Sequence, residues 1–152
     1  MSTFEWSVSD LVPHDGPMLL LDEVVAAEGD MLTTRVIPRG DGMFDENGQV
    51  GAWVGLEYMA QTMAALAGWE GRQRGEAPRV GLMLGTRRYH CHVPFFRVGE
   101  PLLVTAQREF EADNGIGVMQ CRIETPDHTL LAEALLSAYQ PDNLDAFLKE
   151  QA

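Results

Sequence analysis

The sequence predicts an α+β domain in which a curved antiparallel sheet wraps around one long central helix. Three observations predict it: an almost wholly apolar run from Gly51 to Trp69, strand-like runs on both sides of it, and clusters of turn-forming residues between those runs. A helix that is apolar on every face has to be surrounded by protein. With two strands before it and several after it, a sheet that curves around the helix is the arrangement that does so.

The elements follow in order. The chain of 152 residues, 45% of them hydrophobic, is expected to form one domain over residues 1–152. After a short polar start, Pro17 to Ala26 is a nearly continuous apolar run and Asp30 to Ile37 is rich in β-formers. Gly29 and Asp30 mark a turn between them, so the two read as a hairpin. Pro38 to Val50 contains Gly40, Asp41, Gly42, Asn47 and Gly48, and is expected to be a long loop without regular structure. The segment GAWVGLEYMAQTMAALAGWEGRQRG, from Gly51, is dense in Ala, Met and Leu and has no proline, so it predicts a helix closed by Gly71 and Gly75. It is nearly long enough to span a bilayer, but Glu57, Gln61 and its many small residues fit a buried soluble helix better. Val80 to Val93, Pro101 to Phe110, Gly117 to Glu124 and Leu130 to Ala138 are strand-like. They are separated by Val98-Gly99-Glu100, Asp113-Asn114-Gly115 and Thr125-Pro126-Asp127, each a turn-forming cluster at roughly hairpin spacing. The tail from Pro141 to Ala152 is acidic and is expected to end in a short helical turn over Leu144 to Lys149.

Charge narrows the function classes. A formal net charge of −12 and a pI near 4.6 disfavour non-specific binding to nucleic acid or to an anionic membrane. Within that acidic background, residues 71–97 carry Arg72, Arg74, Arg79, Arg87, Arg88 and Arg97 against Glu76 alone, a local balance of +5 beside −17 for the rest. Such a patch suits an acidic partner, and equally a solvated face with intramolecular ion pairs. Cys91 and Cys121 have neither metal-ligand spacing nor the density of a disulfide framework, and no metal or cofactor is expected. His90 and His92 alternate along a strand, and two ligands do not make a metal site. Met1 to Asp10 lacks the basic start and apolar run of a secretory leader, so a cytoplasmic location is expected.

Among chemically capable residues, Glu57 stands out as a carboxyl on an apolar helix. Desolvation disfavours the charged form of such a group, which suits a proton donor, whereas the structural alternative is an ion pair or a capped interface. Helical spacing puts Glu57, Ala60, Gln61 and Ala64 on one stripe, so Gln61 can bond the carboxylate or line the same cavity.

Two motifs carry a family resemblance. LVPHDGPMLLLDEV, Leu11 to Val24, resembles the opening of the β-hydroxyacyl-acyl-carrier-protein dehydratases of the FabZ type, and LEYMAQ, Leu56 to Gln61, resembles their central helix. The likeness continues through VGLMLGTRRYHCHVPF and VGEPLLVTA, and is closest to the dehydratase-like ApeP branch of aryl-polyene and related fatty-acid-like pathways. The resemblance implies a hot-dog fold, at least a dimer with continuous sheets, an acyl tunnel at the subunit interface, and an acyl carrier protein as partner. It makes Glu57 the catalytic carboxyl, and Gly51 and Ala52 at the helix start a binding place for the thioester carbonyl. It also makes Arg72, Arg74, Arg87 and Arg88 a docking surface for the acidic carrier.

The sequence departs from the family at one position that matters. Where those dehydratases have Gly-His-Phe-Pro, with the histidine as base, this chain has Gly42-Met43-Phe44-Asp45. Met43 cannot accept a proton, and Met43 and Phe44 are left as substrate-facing candidates. His14, in the first motif, is the substitute base to consider, beside the plainer reading that His14 and Asp15 fix their own turn. Three functions stay open: a 3-hydroxyacyl-carrier-protein dehydratase, a hot-dog thioesterase in which Glu57 activates water, and a non-catalytic partner subunit of a His-bearing dehydratase.

Overall fold

A computed structural model describes residues 6–13, 16–75, 82–112 and 115–139. In chain order the elements are helix α1 (Val8–Leu11), strands β1 (Glu23–Glu28), β2 (Met31–Val36), β3 (Asp45–Glu46) and β4 (Gln49–Gly51), and helix α2 (Gly55–Gln73). Strands β5 (Leu82–Cys91), β6 (Phe95–Arg97), β7 (Leu102–Glu111), β8 (Ile116–Glu124) and β9 (Leu130–Tyr139) follow. Six strands form one antiparallel sheet in the order β1-β2-β7-β8-β9-β5, and β3-β4-β6 form a second, small sheet beside the start of α2.

The large sheet buries one face by alternation, clearest on β2, β8 and β9, with Thr105 on β7 buried as well. Leu32, Thr34 and Val36 on β2, Val104 and Ala106 on β7, Met119, Cys121 and Ile123 on β8, and Ala132, Ala134 and Leu136 on β9 are all buried. They join Met59, Met63 and Leu66 of α2 in a single core cluster. A side-chain period of two thus meets a helix. Each fully buried leucine or methionine there contributes about 1.5–3 kcal/mol. One polar link crosses the core: the Thr34 and Thr62 hydroxyls are 2.9 Å apart, and Thr62 also donates to Tyr58 O on its own helix at 2.8 Å. This is the α+β arrangement of one long helix against a curved antiparallel sheet that the order of elements along the sequence predicted.

Four sequence expectations need correction. Pro17 to Ala26 is not one strand: Gly16–Met18 form a 3-10 turn and ladder pairing begins only at Glu23. The reason is that the backbone of Met18 and Leu20 bonds the side chain of Gln61 instead of a neighbouring strand. The loop from Pro38 to Val50 is not free of regular structure, because Asn47 (φ 56°) and Gly48 (φ 76°) make a two-residue turn that pairs β3 with β4. The central helix does not begin at Gly51: a 3-10 turn over Ala52–Val54 precedes the α-helical part, which starts at Gly55. Gly71 does not close it, being buried inside the helix, while Gly75 (φ 76°) takes the left-handed position just past its end.

Helix α1 lies against the far half of α2. The Asp10 carboxylate accepts bonds from Ser7 N (3.1 Å) and Ser7 Oγ (2.9 Å), and these hold its pKa below the ordinary value. The Leu11 carbonyl packs directly on Gly68, where a Cβ would overlap it. Arg72 donates from Nε to Asp10 O at 3.0 Å and lies 5.3 Å over the Trp6 ring.

Candidate active site around Glu57

Helix α2 is not covered all round. Leu56, Glu57, Ala60, Ala64 and Ala67 are only half-buried, and their spacing of three and four makes them one stripe facing away from the sheet. Glu57 lies in the first turn of α2.

Its geometry is set by Gln61, one turn on. Gln61 is fully buried, donates from Nε2 to Glu57 Oε1 at 2.9 Å and to Met18 O at 2.7 Å, and accepts at Oε1 from Leu20 N at 2.9 Å. A chain amide donor and a chain carbonyl on opposite ends of one side-chain amide leave it a single orientation. The middle of the first family motif is therefore fastened to the same amide that holds the carboxylate. Arg39 adds a second tie to that segment, from Nη2 to Pro17 O at 3.0 Å.

Apolar side chains stand exposed on the segments that border Glu57. Trp53, four residues before it, is 66% exposed, Met18 is 51% exposed and Met43 is 40% exposed. Phe44 meets Trp53 edge-on with ring centroids 5.9 Å apart, so the 42–45 loop is joined to the turn that leads into α2. That loop is held by its own carboxylates: Met43 N donates to Asp41 Oδ1 at 3.1 Å and Gly42 N to Asp45 Oδ1 at 2.6 Å. Between the loop and the helix lies a shallow dent, partly open to solvent and with room for no more than about one water molecule, lined by Leu20, Val36, Arg39, Asp41, Phe44 and Tyr58 among others. Burial raises the Tyr58 hydroxyl to a pKa of about 12, with Arg39 acting in the opposite sense, so it stays a neutral donor in that pocket.

Of the sequence-predicted set, Glu57 and Gln61 are joined by a hydrogen bond, Phe44 reaches Trp53 one turn before Glu57, and the Met43 side chain is exposed on the same loop as Phe44. Gly51 and Ala52 are close by, but Ala52 N already donates to Pro94 O at 3.2 Å, a bond that a substrate carbonyl would have to displace. The indole of Trp53 covers Gly51 so closely that a Cβ there would lie 2.5 Å from Nε1. His14 lies outside the described residues; its neighbour in sequence, the Gly16–Met18 turn, is the part tied to Gln61. Of the arginines, Arg72 is turned onto Asp10 and Trp6, Arg74 ends α2, and Arg88 is exposed on β5, while the Arg87 side chain lies outside the described part. His90 and His92 are exposed, and among the described residues no three His, Cys, Asp or Glu side chains gather as a metal site.

Sequence reasoning missed Met18, Leu20, Trp53, Arg39 and Tyr58. Trp53 was findable, since it stands one turn before Glu57. Met18 and Leu20 act through backbone atoms some forty positions from Gln61, for which a single sequence carries no signal.

Comparisons with known proteins agree with this architecture. One chain of the dehydratase heterocomplex ApeI:P from Xenorhabdus doucetiae is 26% identical, with a TM-score of 0.87 over 98% of this chain and 100% of that one. The E. coli PaaI protein of the phenylacetic acid degradation operon has the same fold at 13% identity, with a TM-score of 0.59 over 77% of this chain and 81% of its own. A hypothetical thioesterase protein with coenzyme A from Streptococcus pneumoniae TIGR4 is alike in fold at 10% identity and a TM-score of 0.61, over 79% and 88% of the two chains. Among curated proteins, none matches the sequence. The model of the ApeP-like family, ApeP dehydratase, matches residues 6–149, and the chain belongs to that family.

Proposed function

We propose that this chain is a dehydratase subunit acting on 3-hydroxyacyl thioesters of an acyl carrier protein, with Glu57 as its proton-transfer group and a second hot-dog chain completing the site. The observation that carries this reading is the setting of Glu57. Its carboxyl is fixed by Gln61 on the one uncovered stripe of α2, and exposed Met18, Met43 and Trp53 stand on the segments around it. Exposed apolar side chains around a polar group suit a thioester-bound acyl chain and an interface that closes over it.

In the dehydration a base takes the α-proton, the Cα–Cβ double bond forms, and the β-hydroxyl leaves as water on receiving a proton. Glu57 in its acid form supplies that last proton. Met43 cannot take the first, so the base comes from His14 or from a histidine of the second chain. Membership of the ApeP-like family and the likeness to a chain of a dehydratase heterocomplex favour the second source. The carrier is proposed to dock by its acidic surface on the basic stretch that carries Arg74, Arg87 and Arg88, while Arg72 braces the end of α2.

The test is incubation with a 3-hydroxyacyl carrier protein, alone and with a His-bearing homologue, read by mass spectrometry of the carrier. We expect loss of water in the mixture, abolished by Glu57→Gln and unaffected by His14→Asn. Activity of the single chain that His14→Asn removes would move the base to His14. Release of free carrier thiol would mean a thioesterase, and a folded Glu57→Gln variant as fast as the wild type would refute the site.

A further inference from the structure

Strand β5 is irregular where it passes the start of α2. Its pairing with β9 shifts register between Arg87 and His90, and Arg88 adopts a left-handed backbone (φ 58°) that a non-glycine residue rarely takes. The bulge points Tyr89 inward: its hydroxyl donates to the carbonyl of Ala52, in the 3-10 turn that leads into α2. That carbonyl also accepts from Gly55 N, which closes the turn. Residue 52 is held from its other side as well, by Ala52 N on Pro94 O. Both partners come from the β5–β6 segment, so this segment grips the helix start at a donor and an acceptor. Gly55 completes the fit, because a Cβ there would lie 2.5 Å from the Tyr89 hydroxyl and 2.9 Å from Ile123 Cδ1. Burial drives the Tyr89 pKa upward, so the hydroxyl keeps its proton and remains a donor. The Tyr89 ring packs against the core, and a phenylalanine would fill the same space without the hydroxyl.

We propose that Tyr89 is a positioning residue, which clamps the 3-10 start of α2 through Ala52 and thereby sets where Glu57 stands relative to the thioester. Glu57 follows the clamped turn by a few residues of continuous helix, so slack at Ala52 displaces the carboxyl directly. The proposal rests on the reading of Glu57 given above.

Tyr89→Phe in the full chain tests it, with hydrogen exchange and kinetics measured together. Exchange of the 53–56 amides is expected to rise about tenfold while the 63–70 amides of the same helix keep their protection. In the conditions where Glu57-dependent turnover is seen, kcat is expected to fall about tenfold with KM within about twofold. Gly55→Ala should reproduce both effects, and adding it to Tyr89→Phe should cost less than the sum, because the nearest of the atoms it strikes, the hydroxyl, is gone while Ile123 Cδ1 remains. Unchanged exchange at 53–56, or an equal rise along the whole helix, overturns the clamp. A local rise with unchanged kcat overturns the positioning role. If wild type and Glu57→Gln turn over alike, the Glu57 reading fails and the catalytic half of this proposal with it, while the exchange result still decides whether Tyr89 holds the helix start.

Discussion

Gln61 joins three parts of the site through one side chain: the carboxylate of Glu57, the carbonyl of Met18 and the amide of Leu20. Its removal leaves the buried Leu20 amide and the partly buried Met18 carbonyl without partners; a fully buried group of this kind costs about 1–3 kcal/mol and a partly buried one less. Gln61→Leu is therefore expected to lower stability by roughly 2–4 kcal/mol, measured as a shift in the urea midpoint. Glu57→Gln, whose group is only half-buried and exchanges one bonded head for another, should shift it by less than about 1 kcal/mol. Equal shifts would mean that the 18–20 segment does not depend on the amide. The Glu57–Gln61 pair itself was legible in the sequence, since a spacing of four on a helix makes neighbours. The partners at 18 and 20 were not legible, because a backbone atom presents the same N–H or C=O whatever residue carries it.

At the scale of elements, strands with clean alternation and flanking turns were readable: β7, β8 and β9 lie within one residue of their expected bounds. Short elements were not. Strand β6, three residues long, exists because β4 supplies its partners at Gln49 to Gly51, and α1 has no apolar periodicity long enough to register. Helix–helix contact depends on a similar detail. α1 reaches α2 only because Gly68 has no side chain under the Leu11 carbonyl. Gly68→Ala is expected to push α1 off: a cost of about 2–3 kcal/mol, in the range of a buried clash with backbone, outweighs the small gain in helix propensity. The accompanying sign is a red shift of tryptophan emission as Trp6 leaves Arg72 and the helix, and an unchanged spectrum with unchanged stability would show that α1 has room to move. Tyr89 belongs to this scale too, since it acts through a bulge whose position no sequence pattern marks.

For the whole molecule, charge and burial act on stability at opposite ends of the pH scale. At the acid end, Asp10 and Asp127 have lowered pKa values from bonds to Ser7 and to Thr125 and Thr129. Their contribution is present above the unfolded carboxylate pKa and is lost as pH falls through the folded values. At the alkaline end, beside Tyr89, whose hydroxyl burial also pushes up, two interior groups act: burial raises the Cys121 thiol from 9.0 to about 12, and the Tyr58 hydroxyl from 10.0 to about 12. Both stay protonated in the folded chain while the unfolded chain ionises them, so the folded state binds more protons and stability falls as pH rises from about 9 toward 12. The slope reaches about 1.4 kcal/mol per pH unit for each group once its unfolded form has ionised. Lysines, which usually confuse this range, hardly contribute, because Lys149 is the only one in the sequence. Repulsion within a chain of net charge −12 is the competing source of alkaline weakening, and it differs in being screened by salt. Urea midpoints from pH 8 to 11 in about 0.1 M and 1 M salt separate the two, since the Debye length shrinks from about 10 Å to 3 Å between them. We expect salt to raise the midpoint at every pH without flattening its decline, and Cys121→Ala to remove the part of the slope that begins near pH 9. A decline abolished by salt, or unchanged in Cys121→Ala, would assign the alkaline weakening to surface repulsion instead of to the groups sealed between sheet and helix.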